Sequence, residues 1–151
     1  MAALALALCG GCDALPSTGD DEIPTPDVPP PADALEERLR ALGNERAPFM
    51  IFSDDGTLRG ELEEGGARDF SHVMHPGWCY KVLGLAEGIE DLDIRVYDGN
   101  GVLLQRDTTR SPDPYIGQMR PICPVESAAY RLEIRAVTGS GAFVVQVYRS
   151  V

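Results

Sequence analysis

This 151-residue sequence predicts an all-β domain: an antiparallel sandwich of eight or nine short strands behind a disordered tether and one short helix. Three observations carry the prediction. From Phe49 onward apolar side chains recur at every second position, the period of a half-buried strand. Glycine, asparagine and aspartate interrupt that pattern about every ten residues, as turns do between short strands. No helix-length apolar stripe falls between the candidate strands, so a βαβ arrangement is not expected.

The elements follow in order. Residues 13–32 carry Asp13, Asp20, Asp21, Glu22 and Asp27 with no basic residue among them, and prolines crowd between Pro16 and Pro31. Such a stretch buries too little apolar surface to offset its ordering entropy, so it is expected to be a disordered linker. Its proline runs favour polyproline II at about 3.1 Å per residue, which makes a semi-rigid spacer. Asp33, with Glu36 three residues on, reads as a helix start. Leu35, Leu39 and Leu42 form a stripe and Gly43 reads as the stop, giving a helix over residues 33–43 that needs a surface to pack on.

The domain proper is expected over residues 48–151. Strands are predicted at Phe49–Ser53 and Thr57–Leu62, with Asp54-Asp55-Gly56 as the turn between them, and then at Arg68–Met74 and Trp78–Leu85. Asp91–Asp98 alternates most clearly, with Leu92, Ile94 and Val96 on one face and Asp93, Arg95 and Tyr97 on the other. Gly99-Asn100-Gly101 turns it into Val102–Arg106, and a weaker strand surrounds Tyr115. Ala129–Val137 sends Tyr130, Leu132, Ile134 and Ala136 inward, and Phe143, Val145 and Val147 do the same in the last strand.

The amino end sets the expected address. A run of small apolar residues from Ala2 to Leu8 leads into Cys9-Gly-Gly-Cys12, and it is far shorter than the 18 or so residues that span a bilayer. The segment resembles a bacterial lipoprotein signal over residues 1–12, which implies cleavage before Cys12 and lipid on that cysteine. Cys12 has Gly10 and Gly11 before it but Cys9 where leucine is usual. Cys9 as the modified residue has the bulky Leu8 against it. A basic n-region is missing, which leaves open whether Met1 is the true start. A bacterial envelope location, lipid-anchored and facing the periplasm or the surface, follows as an expectation.

In an oxidising envelope the two remaining cysteines, Cys79 and Cys123, are expected to pair. The competing use, zinc held with His72 and His75, fails on spacing, because residues three apart on a strand point to opposite faces. Glu90, Asp91, Asp93, Asp98, Asn100 and Asp107 gather around one strand and hairpin. Their hard oxygens suit calcium, with Asp91, Asp93, Asp98 and Asn100 the candidate ligands, while the plainer role is bonding to backbone donors in turns. Trp78, Tyr80, Tyr97 and Tyr115 are candidates for a carbohydrate or peptide platform, or for ordinary packing.

Gly56-Thr-Leu-Arg-Gly60, Asp69-Phe70, Asp91–Asp98, Gly101-Val-Leu-Leu104, Tyr130-Arg-Leu-Glu-Ile134 and Gly141–Val147 stand in an order similar to bacterial pre-peptidase C-terminal domains. The resemblance implies a jelly-roll-like sandwich that is not itself catalytic, in a family some of whose members bind extracellular polymers or calcium. Two departures stand out: Ala128-Ala129 replace the glycine that usually precedes the penultimate strand's tyrosine, and no peptidase shares the chain.

The net charge of −11 argues against nucleic acid and against anionic membrane surfaces as partners. Gly139-Ser140-Gly141 lacks the flanking pattern of a nucleophile elbow, and Asp91 and Asp93, though able to share a face, have no evident pocket. The expected protein is therefore not an enzyme and uses no cofactor. It is an envelope lipoprotein whose sandwich binds an unspecified ligand, with the membrane, through its anchor, and an envelope protein or polysaccharide as partners. The alternatives are an accessory domain of a secreted hydrolase system and a calcium-dependent adhesion module.

Overall fold

The computed structural model describes residues 31–151. They form one helix, α1 (Ala34–Arg46), and six strands, β1 (Met50–Leu62), β2 (Ala67–Met74), β3 (Tyr80–Tyr97), β4 (Leu103–Arg106), β5 (Tyr115–Ile116) and β6 (Ala128–Ser150). The lipoprotein segment 1–12 and almost all of the linker 13–32 lie outside the described residues. All strand pairs are antiparallel, in the order β1-β6-β3-β4, with β2 on β6 and β5 on β3. The all-β class expected from the alternation is the observed one.

The strands are fewer and longer than eight or nine. β3 runs 18 residues and β6 runs 23, each uniting two of the predicted segments. Turn signals at their centres bend these strands without ending them. Register slips between Glu87 and Leu92 mark the bend in β3, opposite Gly139 and Gly141 of β6. Gly88 and Gly139 take positive φ (84° each), and a Cβ on Gly88, Gly139 or Gly141 would strike backbone carbonyl oxygen of the facing strand. Glycine is thus required where the two backbones cross. Likewise Asp54-Asp55-Gly56 makes no hairpin: Phe52 and Thr57 flank an irregularity inside β1, and both sides of it pair with β6.

Bending gives the sheet two halves that close on each other. The near half holds β1, the first half of β3, the second half of β6 and β5, and the far half holds β2, the remainder of β3 and β6, and β4. Val82, Phe143, Val145 and Val147 from the near half meet Leu92, Ile94, Leu132 and Ile134 from the far half in one core. Phe70 and Phe143 touch edge-to-face across it, at 6.1 Å between ring centroids. Gly84 lets Ile94 and Pro114 approach where a Cβ would intrude.

Helix α1 covers the opposite face of the near half, so β6 is buried on both sides from Phe143 to Tyr148. Leu35 and Leu39 pack with Leu83, Leu85, Val144 and Tyr148. Asp33 caps the helix through Oδ1, which accepts the Glu36 amide at 2.9 Å. Gly43 is not the stop: the helix continues to Arg46, and Gly43 is the place where the Tyr148 hydroxyl lies against the helix. A polar group of atoms is sealed beneath α1. Glu36, 3% exposed, pairs with Arg40 and Arg59 and accepts from Gln146 Nε2, while Tyr148 donates to Gln146 Oε1 at 2.8 Å. Burial pushes the Tyr148 phenol up to about 12.

Cys79 and Cys123 are joined as a disulfide. It flanks the bridge in which the Tyr80 and Ile122 backbones exchange both hydrogen bonds, tying the end of the long 107–127 connection to the start of β3. With a sequence separation of 44, chain entropy assigns the crosslink about 4 kcal/mol. A double variant, Cys79→Ser with Cys123→Ser, is expected to lose roughly that in urea unfolding. Gly43→Ala should lower the melting temperature: the gain of about 1 kcal/mol in helix propensity is outweighed by displacing Tyr148 from Gln146. A rise in melting temperature would contradict this packing.

Candidate functional site

Among the described residues no helix covers the outer face of the far half. Period two puts Asp93, Arg95 and Tyr97 of β3 beside Arg135, Glu133 and Arg131 of β6, with Asp69 and Ser71 of β2 beyond. Glu133 stands 3.5 to 3.7 Å from the guanidinia of Arg95, Arg131 and Arg135. Arg131 also meets Asp69 at 2.9 Å and stacks over the Tyr97 ring at 3.8 Å. Arg95 Nε, Arg135 Nε and Glu133 Oε1 are nonetheless buried without a hydrogen-bond partner.

At one edge of this face the chain leaves β4 and folds around Asp107, which is 7% exposed. Asp107 Oδ2 accepts from the Thr109 amide and hydroxyl, and Oδ1 accepts from the Tyr115 amide at 3.5 Å. The segment then runs back along β3, its Ser111, Pro112 and Pro114 carbonyls accepting from the amides of Leu92, Ala86 and Gly84. Clefts of about 210, 360 and 260 Å³ border this turn.

The first, about 210 Å³, is lined by Asp91, Asp93, Arg95, Arg106, Asp107, Thr108, Thr109, Arg110 and Val137. Burial and the neighbouring carboxylates of Asp91 and Asp107 raise the Asp93 pKa above its ordinary value, against the smaller pull of Arg95 and Arg135. Asp91 Oδ1 is buried without a partner. The second cleft, about 360 Å³, is lined by Arg46, Asp107, Thr109, Ser111, Asp113, Tyr115 and Gln118. Its charges are already matched: Arg46 pairs with Asp113, and Lys81 Nζ donates to Tyr115 Oη and the Arg46 carbonyl.

The structure separates the four candidate calcium ligands. Asp98 and Asn100 sit in the β3–β4 hairpin, where Asp98 Oδ1 accepts from the Asn100 and Val102 amides, and Asp91 and Asp93 lie back along β3, next to its bend. Among the described residues no three acidic, histidine or cysteine side chains are placed to hold a metal ion. His72 is buried against Tyr80, with its pKa lowered by that burial, while His75 lies past the strand with Nδ1 against Ser127 Oγ. The four aromatics do not converge. Tyr80 is in the core, Tyr115 lies beneath Arg46 and Lys81, Trp78 beneath Arg149 and Tyr97 beneath Arg131. Cys12 and Cys9 fall outside the described residues.

Two expectations are corrected. The carboxylates Asp91 and Asp93 do share a pocket, in which the Asp93 pKa is raised; what sequence spacing missed is the wall built by residues 106–110 at the end of β4 and beyond it. The second correction comes from comparison with known proteins. No family model matches the chain. Over 82 residues, 54% of its length, the chain is 37% identical to a ribonucleoside-diphosphate reductase large subunit from Psittacid herpesvirus 1. It spans a tenth of that relative's length. A likeness to a protein named as an enzyme overturns the expectation that this chain is not one.

A titration checks the pocket. Native Asp93 holds its proton more tightly than the unfolded chain does, so charging it costs stability. Its contribution is complete below about pH 4 and is lost as pH rises through the raised native value. Asp93→Asn is therefore expected to raise the melting temperature at pH 7 and to give no gain near pH 3. A lower value at pH 7 would refute this reading of the cleft.

Proposed function

We propose that this chain is a bacterial envelope lipoprotein, held by lipid on Cys12 and spaced from the membrane by residues 13–32, whose β domain binds an envelope polysaccharide or protein. The observation that carries the binding role is the open outer face of the far half with its adjoining cleft. The opposite face of each half is buried in the core, whereas this one presents ranked charges, a stacked tyrosine–arginine pair and partnerless buried polar atoms. Such groups in a folded chain call for solvent or a ligand. The Cys79–Cys123 bond supports export, since bridges of this kind persist in oxidising compartments. The acidic linker supports a spacer role. The resemblance to pre-peptidase C-terminal domains fits a module that binds extracellular polymers.

Intact-mass analysis of protein extracted from membranes is expected to find a chain starting at Cys12, heavier by its acyl groups and lighter by the two hydrogens of one disulfide. A full-length, unacylated and reduced product in the soluble fraction would sink the anchor and export together. Co-sedimentation with insoluble envelope polymer, lost on Arg131→Ala, tests the binding face; equal sedimentation by that variant would move the site elsewhere.

A further inference from the structure

The 210 Å³ cleft at the edge of the outer face holds opposite charges that do not neutralise each other. Its floor carries Asp91 and Asp93, and neither makes an ion pair among the described residues. Asp91 keeps a buried, partnerless oxygen, and Asp93 is repelled by both Asp91 and Asp107. Its wall carries Arg106 and Arg110, both exposed and without an ion pair or side-chain hydrogen bond among the described residues. Arg106 also stands in register opposite Arg95, a like-charge cross-strand pair that costs stability, and only Arg95 has a carboxylate to answer it, Glu133 at 3.5 Å.

Two further charges line the cleft but are engaged elsewhere: Arg95 of the floor pairs with Glu133, and Asp107 of the wall accepts from Thr109 and Tyr115, so the charges left without a pair are two carboxylates on one side and two guanidinia on the other. A metal cation would satisfy the floor and be repelled by the wall, and a simple anion would meet the reverse. We infer that the cleft is a binding site for a small zwitterion, whose ammonium group faces Asp91 and Asp93 and whose carboxylate faces Arg106 and Arg110. The ammonium answers the carboxylates of Asp91 and Asp93, and the guanidinia offer the planar forks that suit a carboxylate. Val137 provides an apolar wall for the intervening carbons. The volume is below the range of drug-sized pockets, which restricts the ligand to an amino acid or the end of a peptide. The inference rests on the domain being a binding module and is independent of its anchor.

The test uses the disulfide-bonded full chain and a series of amino acids of increasing charge separation: glycine, β-alanine, 4-aminobutyrate and 6-aminohexanoate. Calorimetry and melting temperature are read for each. At least one is expected to bind saturably with a Kd of about 1 mM or tighter, and its N-acetyl and carboxamide counterparts, which keep one charge each, at least about tenfold more weakly. Asp93→Asn and Arg106→Gln should each weaken the zwitterion by a similar factor. Equal binding of a singly charged counterpart, unchanged affinity in both variants, or no saturable binding by any of the four up to about 50 mM overturns the inference. Polymer sedimentation in the same preparation separates the outcomes: if it persists while the zwitterions fail, the binding module stands and this ligand class falls.

Discussion

The β3–β6 ladder is the constraint on which the other elements depend. It runs from Tyr80 against Arg149 to Tyr97 against Arg131, and every other strand attaches to one of its two members. Because it folds at Gly88 and Gly139–Gly141, one pair of strands supplies both walls of the core. The backbones approach so closely at the crossing that no side chain fits, so the fold's sharpest corner is set by three positions without a Cβ. What would otherwise be an exposed two-faced ribbon becomes a layered body in which helix, near half and far half are stacked.

Stacking sorts the charges. The helix side of the near half buries a carboxylate, an amide and a phenol, and there Glu36 is met by two guanidinia and Gln146. A buried carboxylate stripped of such partners would be strongly destabilising, so that side is closed and self-satisfied. The outer side of the far half is built differently. Its ladder leaves guanidinium and carboxylate atoms without partners, and at its edge Asp91, Asp93, Arg106 and Arg110 line one cleft without an ion pair among the described residues. The difference between a satisfied network and an unsatisfied one distinguishes the two faces.

Much of this was legible in the sequence where one physical rule acted alone. The alternation of Leu92, Ile94 and Val96 with Asp93, Arg95 and Tyr97 reports a strand with one wet face, and the structure keeps that orientation. Continuity was not legible, because a glycine that ends a strand and a glycine that bends one look the same in one dimension. Nor was the position of Gly43, whose role comes from Tyr148 more than a hundred residues later. The acidic cluster misled for a related reason: Asp91 and Asp98 are close in sequence but are held apart by the extended second half of β3, whereas Asp93 and Arg106 become neighbours only once the hairpin closes. Charge proximity in this chain is a property of pairing.

The crosslink also bears on how the molecule breaks. Cys79 and Cys123 bracket β3, β4, β5 and the loop bearing the fully exposed Met119, so a single backbone scission anywhere between them yields two pieces that remain one covalent body. A nicked copy would keep its long ladder in place and migrate as an intact molecule until the sulfur bond was reduced.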